Sequence, residues 1–300
     1  MATGKLEGAE VMTSGLTREF DARLGALLFL VATLLATGLA SVDAAGHSGR
    51  EIVALHAYGD GEVIVVDSRA LYRVGAASRT IEPVAPPPSV SGISAVAANR
   101  FGRIYLAAPG SGVWVSRNGG KTWAARNDGL PRGAVTSLTT HAGQVDTVYA
   151  YVSGDGIYRS EDGRDTWLLM DGGPEGMTGP FIHSDMPGSM QTGWLFAATK
   201  NGISRSMDCF CLWRRARALD GEVFALTYDP RQPAHIYAAT GKGVFRSQDG
   251  GERWESASAA DSRIQALAFT TTGVLYAAAA GGAIYVSANQ AKSWQRADGF

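Results

Sequence analysis

The sequence predicts an all-β fold, a six-bladed β-propeller of four-stranded blades preceded by one N-terminal hydrophobic helix. Three observations support this prediction: a motif that occurs five times, a repeat length of about 42 residues, and strand patterns at fixed places in each repeat. Gly contributes 38 of the 300 residues and Pro only 11, which indicates many tight turns. With 45% hydrophobic residues, the chain can bury a sizeable core, so intrinsic disorder is excluded as its bulk state.

The recurring motif begins with Ser, has Asp or Asn two residues later, and ends with Trp seven residues after the Ser. Its copies are Ser116–Trp123, Ser160–Trp167, Ser206–Trp213, Ser247–Trp254 and Ser287–Trp294. Successive Trp residues are 44, 46, 41 and 40 positions apart, and five of the seven Trp occupy this position. We interpret the motif as a tight turn between two short strands, whose Trp packs between neighbouring blades.

The residue types of the motif suit a hydrogen-bonded corner. The Asp or Asn oxygen and the Ser hydroxyl can accept backbone N–H groups that a tight turn leaves unpaired. A following Gly permits positive φ without steric cost. The motif therefore predicts a repeated structural corner.

Further strand patterns precede each copy of the motif. The second strands are Ile104–Ala107, Val148–Tyr151, Leu195–Ala198, Ile236–Ala239 and Leu275–Ala278, and their many alanines predict a crowded position near the central axis. First strands are visible in four of the five repeats, at Ile93–Val96, Val135–Leu138, Val223–Leu226 and Ile264–Leu267. Residues 51–87 match the same scheme without the Asp and the Trp, and we interpret them as a degenerate first blade. The ring is then expected to close by packing of the first blade against the last, supported by Trp294 and Phe300.

The motifs Ser160–Trp167 and Ser247–Trp254 resemble the Asp-box (BNR-repeat) family of β-propellers, and the resemblance covers residues 51–300. The stretches Gly156–Gly163 and Gly243–Gly250 are similar to the non-enzymatic branch related to photosystem II stability and assembly factors. The resemblance implies an exported propeller that binds membrane-protein partners. It also implies that the Asp box is structural and remote from the central binding face.

The N-terminal region predicts that the main part of the chain is located outside the cytoplasm. Residues 24–42 contain no charged residue and could span the membrane as an anchor or serve as a cleaved signal peptide. Basic residues precede this segment, so we expect residues 1–23 in the cytoplasm and the rest across the membrane. Residues 43–50 are expected to be a linker and residues 51–300 the propeller, on the periplasmic side of the inner membrane, anchored or secreted.

Charge and residue patterns give little evidence of catalysis. A formal net charge of −1 offers no field for nucleic acid, which is therefore not expected as a partner. A sialidase-like site would need a cluster of Arg to bind the sugar carboxylate, a Tyr nucleophile with a Glu partner, and an Asp as acid and base. Arg73, Arg159, Arg205 and Arg246 recur before the corners, and this regular spacing predicts one structural role per blade. Asp60, Asp155 and Asp229 are interpreted as solvated turn residues, since no carboxylate partner recurs near them.

The fourth repeat has an unusual composition that raises the alternative of a copper site. It holds Met170, Met177, Met186, Met190 and Met207 within it or at its edge, together with Cys209, Cys211 and His183. Thioether, thiolate and imidazole ligands suit Cu(I). The structural interpretation is a divergent blade in which Met fills gaps. With one residue between the two Cys, a disulfide joining them is expected to be strained.

The remaining histidines, His56, His141 and His235, are scattered one to a repeat and are interpreted, like His183, as ordinary strand or loop residues. No residue is predicted to be catalytic, cofactor-binding or metal-binding, and no cofactor is expected. The sequence thus favours a non-catalytic, extracytoplasmic propeller that serves as a protein-binding or assembly platform at the membrane. A carbohydrate-active, sialidase-like hydrolase is the alternative, and a copper-handling module is the third.

Overall fold

The computed structural model describes residues 51–67, 70–75, 80–161, 166–190, 193–210, 212–216, 219–257 and 263–297. These residues form six antiparallel sheets of four strands each, so the predicted six-bladed, all-β architecture is confirmed. The segments 1–23, 24–42 and 43–50 lie outside the described residues, and the expected hydrophobic helix lies there with them. Within the described ranges, no helix has the length and apolar character needed to cross a bilayer.

Each blade consists of four consecutive strands, paired in sequence order. Blade 1 holds β1 (Ile52–Tyr58), β2 (Glu62–Asp67), β3 (Leu71–Gly75) and β4 (Thr80–Val84). Blade 2 holds β5 (Ala95–Ala98), β6 (Ile104–Ala108), β7 (Gly112–Ser116) and β8 (Ala124–Ala125). Blade 3 holds β9 (Val135–Thr140), β10 (Val148–Val152), β11 (Gly156–Ser160) and β12 (Leu168–Asp171).

The second half of the chain repeats this order. Blade 4 holds β13 (Met177–Ser184), β14 (Trp194–Thr199), β15 (Gly202–Met207) and β16 (Arg214–Arg215). Blade 5 holds β17 (Val223–Asp229), β18 (Gln232–Thr240), β19 (Gly243–Ser247) and β20 (Glu255–Ser256). Blade 6 holds β21 (Ile264–Phe269), β22 (Leu275–Ala279), β23 (Ile284–Ser287) and β24 (Gln295–Arg296).

The apolar residues form one core between each pair of neighbouring blades, because side chains alternate between the two faces of a strand. The core between blades 6 and 1 contains Leu55 and Val65 from blade 1 and Tyr276 and Ile284 from blade 6. The ring therefore closes by packing of the first blade against the last, as the sequence predicts. No strand is shared between these two blades among the described residues.

Two details of the predicted architecture differ from the structure. Trp294 packs in the core between blades 5 and 6, so it does not support the contact between blades 6 and 1; Phe300 lies outside the described residues. The fourth unit has a first strand, β13, which the sequence analysis missed. Gly179 and Pro180 interrupt its pattern, and its pairing with β14 shifts register between Met177 and Phe181.

The first strand of each blade is innermost, and the second strand lies one place farther out. The alanines of the second strands lie in the cores between blades; Ala238 and Ala277 are examples, both fully buried. They allow close packing of sheets near the axis, although they do not line the axis themselves. All six first strands run in the same direction, so the turns that follow them lie at the same end of the ring as the corner motifs.

Candidate functional site

The first strands of the six blades enclose a central cavity of about 330 Å³. Its lining consists mainly of small, apolar and hydroxyl side chains, with Arg100 as the one guanidinium and with His56, His141 and His183 as the imidazoles. Neither Asp, Glu nor Lys occurs among the described residues that line it. Burial lowers the pKa of His56 to about 4, so this side chain is neutral at pH 7.

The mouth where the first strands begin is uncharged at the equivalent positions of four blades. The second residues of β1, β9, β17 and β21 line it, and they are Val53, Thr136, Phe224 and Gln265. Val53 keeps 48% of its surface exposed. Arg263 covers Phe224, with the guanidinium carbon 3.9 Å from the ring centroid. This mouth therefore combines apolar and uncharged polar side chains with one guanidinium, that of Arg263, and is suited to contact with a peptide.

The corner motifs of blades 2, 5 and 6 form the hydrogen bonds that their residue types predict. In blade 5, Ser247 Oγ donates to Asp249 Oδ1 at 2.9 Å and accepts from Gly251 N at 2.8 Å, while Arg253 N donates to Asp249 Oδ1 at 2.9 Å. Blades 2 and 6 repeat these bonds around Ser116 and Ser287. These three corners therefore have a structural role, and no corner residue that the structure describes lines the central cavity.

The recurring arginines pair with carboxylates and with the corner of the following blade. Arg159 lies 2.7 Å from Glu161, and Arg246 donates from Nε to Glu255 at 3.0 Å. Arg205 contacts Glu252 and the carbonyl of Gly250, both in blade 5, and Arg73 contacts Glu82. These four arginines do not line the cavity, so they do not form the cluster that a sialidase-like site needs.

The structure brings together three side chains that the sequence analysis treated separately. His141 follows β9 of blade 3, His183 lies in β13 of blade 4, and Asp208 belongs to the corner of blade 4; all three are buried. Asp208 Oδ2 lies 3.9 Å from His141 Nε2 and 3.7 Å from His183 Nε2. The two imidazole rings stack with centroids 3.9 Å apart, and Tyr149 stacks on His183 at 5.8 Å. We call this group the blade 3–4 His cluster.

Backbone donors fix the tautomers of the blade 3–4 His cluster. His141 Nδ1 accepts from Gly143 N at 2.9 Å and Gln144 N at 3.0 Å, and His183 Nδ1 accepts from Ala142 N at 3.1 Å. A neutral imidazole that accepts at Nδ1 carries its proton on Nε2. The Nε2 atoms that face Asp208 are therefore N–H groups, and they offer no lone pair to a metal ion. This chemistry disfavours a metal centre despite the spacing of the three residues.

In three other blades, a side chain in the turn after the first strand has the same capping role as His141. Asn99 Oδ1 accepts from Arg103 N at 3.0 Å, Asp229 Oδ1 from Arg231 N at 2.9 Å, and Thr270 Oγ1 from Val274 N at 3.1 Å. Each caps the turn between the first and second strands, as His141 does. Burial, together with the charge of Arg159, lowers the pKa of His141 to about 3, although Asp208 opposes this shift. His141 is thus a neutral turn cap.

The copper hypothesis finds little support in the described part of the fourth repeat. Met170 and Met177 pack in the core between blades 3 and 4, and Met186 packs in the core between blades 4 and 5. Met190 is 71% exposed. Cys209 is disulfide-bonded despite the strain expected from the sequence, and Cys211, the chain's other cysteine, lies outside the described residues. These residues do not converge on one site.

The turn aspartates also differ from one another. Asp60 and Asp155 are exposed, as expected, and Asp155 accepts a bond from the Tyr158 hydroxyl at 2.8 Å. Asp229 is fully buried, so its interpretation as a solvated residue was wrong. It binds the backbone and the guanidinium of Arg231, which replaces the lost water.

Comparison with solved structures shows the same fold at low sequence identity. The GH74 xyloglucanase from Xanthomonas campestris matches with a TM-score of 0.58 and 16% identity over 82% of this chain and 53% of its own chain. YCF48 bound to D1 peptide gives 0.52 and 17% over 83% and 80%, respectively. A chain of the nidogen/laminin complex gives 0.60 and 14% over 78% and 91%.

The chain thus spans about half the length of the xyloglucanase that it matches. No protein-family model and no curated relative matches the sequence. At these identities the similarity shows the fold alone, a β-propeller shared by enzymes and by non-catalytic binding proteins.

Proposed function

We propose that the chain is a non-catalytic propeller that binds a protein partner outside the cytoplasm, at the membrane. The observation that carries this proposal is the chemistry of the central cavity and its mouth. The described lining has no carboxylate, and the mouth presents the uncharged side chains of Val53, Thr136, Phe224 and Gln265, with the guanidinium of Arg263 stacked on Phe224. Such a surface can bury apolar and hydroxyl groups of a peptide, and it lacks the paired acids that glycoside hydrolysis requires.

Two of the similar structures support partner binding as a use of this fold. One is YCF48 bound to D1 peptide, and the other comes from the nidogen/laminin complex. The Asp-box pattern at Ser160–Trp167 and Ser247–Trp254 also resembles the exported, non-enzymatic propellers described above. Together with the cavity chemistry, these similarities favour an assembly or docking role over catalysis.

The disulfide of Cys209 supports an extracytoplasmic location. Disulfides persist in oxidising compartments such as the bacterial periplasm and are rare in reducing cytoplasm. The uncharged segment 24–42 follows basic residues and suits a membrane anchor or a signal peptide, which also supports an extracytoplasmic location. The proposed place of work is therefore the periplasmic side of the inner membrane.

A carbohydrate-active hydrolase is the second candidate, because the xyloglucanase shares the fold. Such an enzyme would need two carboxyl groups on either side of a scissile bond. Buried Asp208 and Asp229 do not line the cavity, and both have partners within the fold. This candidate is tested by incubating the purified protein with xyloglucan and with sialosides; release of reducing sugar or sialic acid would contradict the proposed function.

The test of partner binding uses two matched variants of the full-length chain. Val53→Asp puts a charge at the cavity mouth, while Leu168→Asp puts a charge on the outer strand of blade 3, where Leu168 is 55% exposed. Both proteins are purified from detergent-solubilised membranes. We expect one defined partner to copurify with the wild type and with Leu168→Asp but not with Val53→Asp. Recovery of the wild type alone, or equal recovery of the partner with both variants, would overturn the proposal.

A further inference from the structure

The central cavity extends inward from the mouth along the whole length of the first strands. In β1 its lining runs from Val53 to Ala57, and in β17 it runs from Phe224 to Tyr228. At about 3.3 Å per residue, these steps carry the cavity roughly 13 Å inward. Its volume of about 330 Å³ falls within the range of pockets that enclose a ligand. The mouth is therefore the entrance to a space that part of a partner can occupy.

Small side chains keep this space open. Each of the six blades contributes a residue no larger than Ser to the lining, and examples from blades 1 to 6 in order are Ala54, Ala95, Ser137, Gly179, Ala225 and Ala266. Larger side chains on the innermost strands would fill the axis of the ring. The lining therefore leaves room for the side chains of another chain.

The lining also holds uncharged polar groups that have no partner within the described part of the chain. The hydroxyls of Ser137 and Thr139 make no hydrogen bond there, although these residues are only 8% and 9% exposed. His56 Nε2 is buried and likewise has no hydrogen-bond partner. A buried polar group that stays unpaired costs free energy, and the amide or hydroxyl groups of a bound segment would remove that cost.

The charges of the lining exclude a charged occupant from the middle of the cavity. No carboxylate and no Lys occurs among its described residues, and His56 is neutral because burial lowers its pKa to about 4. Arg100 follows β5, so it lies at the end opposite the mouth, where it is exposed and covers the Phe101 ring at 5.0 Å. A charged side chain midway along the cavity would lose water without gaining a partner.

We propose that the partner inserts an extended, uncharged segment with small apolar and hydroxyl side chains through the mouth into the central cavity. This inference rests on the proposed function, because the segment belongs to the protein that docks at the mouth. An extended segment keeps its backbone N–H and C=O groups free for Ser137, Thr139 and His56, whereas a helix uses these groups internally. Four extended residues match the depth of roughly 13 Å. Their side chains pack against the small residues of the lining.

The direct test places a photo-crosslinking residue inside the cavity. An aliphatic diazirine residue about the size of Met replaces His56, three residues inward from the mouth, and in a second protein it replaces Val53 at the mouth. Both are full-length chains illuminated in native membranes. We expect the same protein to be joined from both positions, and tandem mass spectrometry to place both adducts within one run of at least four uncharged residues. Adducts on or beside Asp, Glu, Lys or Arg would overturn the chemistry of the proposed segment.

A second measurement fills the cavity and leaves the mouth unchanged. Ala57 is only partly buried and lines the inner part of the cavity, so Ala57→Phe occupies the space of the segment. Ala125→Phe adds the same bulk on the exposed outer strand of blade 2. With the crosslinker at position 53, we expect the adduct yield to fall about tenfold for Ala57→Phe and to stay unchanged for Ala125→Phe. Circular dichroism verifies that both variants are folded.

The outcomes separate insertion from docking. Equal adduct yields in the two folded variants, or an adduct from position 53 without one from position 56, would overturn insertion and leave docking at the mouth intact. The absence of adducts from both positions would overturn the proposed function and this inference with it. If Ala57→Phe does not fold, the result at position 56 decides.

Discussion

Trp167 Nε1 donates a hydrogen bond of 2.8 Å to the carbonyl oxygen of Arg126, and this bond joins blade 3 to blade 2. The side chain of Arg126 also binds blade 3. Its Nε donates to Ser160 Oγ at 2.8 Å, and another N–H of the guanidinium donates to the carbonyl oxygen of Glu161. Both side chains are almost completely buried. The corner Trp residues of blades 2, 3 and 4 thus contribute more than apolar area, since the indole N–H of each donates a hydrogen bond to the preceding blade.

The first prediction isolates that hydrogen bond. Trp167→Phe keeps an aromatic ring but leaves the Arg126 carbonyl without its donor. Trp254→Phe makes the same change where the indole Nε1 has no hydrogen-bond partner. We expect the free energy of unfolding in urea to fall by about 1–2 kcal/mol more for Trp167→Phe than for Trp254→Phe. Equal losses in the two variants would show that the bond between blades contributes nothing.

The second prediction compares two serines at the same corner position. Ser247→Ala removes the hydroxyl that accepts from Gly251 N and donates to Asp249. Ser206→Ala removes a hydroxyl that has no hydrogen-bond partner. We expect Ser247→Ala to lower the free energy of unfolding by about 1–2 kcal/mol and Ser206→Ala to leave it nearly unchanged. A larger loss for Ser206→Ala would mean that its hydroxyl does make a stabilising bond.

The third prediction concerns pH. Burial lowers the pKa of His141 from 6.5 to about 3, so the unfolded chain takes up a proton below pH 6.5 that the folded chain refuses. Stability therefore falls as the pH falls through 6.5 toward 3, and His141 alone contributes a loss of about 2 kcal/mol at pH 5. His141→Asn preserves the turn cap, because Asn99 has that role in blade 2.

The measurement is the free energy of unfolding at pH 7 and pH 5 for the wild type and for His141→Asn. We expect the drop between these pH values to be smaller in the variant by the contribution of His141. His56 titrates in both proteins, so its effect cancels in the comparison. If both proteins lost the same stability, His141 would not be a buried neutral group.

The fourth prediction concerns metal ions. Because both imidazoles of the blade 3–4 His cluster carry their protons on Nε2, we expect neither Zn²⁺ nor Cu⁺ to raise the melting temperature. EDTA should not lower it. Long-range ¹H–¹⁵N correlation spectra should place the proton of His141 and His183 on Nε2. Stoichiometric stabilisation by either ion, abolished by Asp208→Asn, would overturn this assignment and establish a metal centre.

The sequence predicts the blades well because each unit carries its own turn and Trp, and these determine local structure without reference to distant residues. Strand β13 was not predicted because Gly179 and Pro180 interrupt the alternation of apolar and polar residues that identifies a strand. Arg126 was also missed. It lies three residues after the corner Trp of blade 2, where blades 4, 5 and 6 have Ala216, Ala257 and Ala297 and blade 3 has Met170, so a charged residue at this position is a visible anomaly. The equivalence is structural as well, since the backbone N–H groups of Arg126 and of the three alanines make the same bond to the third strand.

The candidate site was less predictable, because its residues meet across blades. The order of the strands predicts that first strands surround an axis, but the composition of the cavity depends on which residues face it. His141 and His183 come from two different repeats, and their proximity depends on β13, which was not recognised. The burial of Asp229 depends on Arg231, which lies two residues away and supplies both a backbone and a side-chain donor.

We propose above all that a protein partner docks at the mouth of the central cavity. The most direct measurement introduces a photo-crosslinking residue at position 53, or at position 168 as the control, into the full-length chain in its native membranes. Illumination should join one defined protein to the chain from position 53 and not from position 168. Crosslinking from position 168 alone, or no adduct from position 53, would contradict the account.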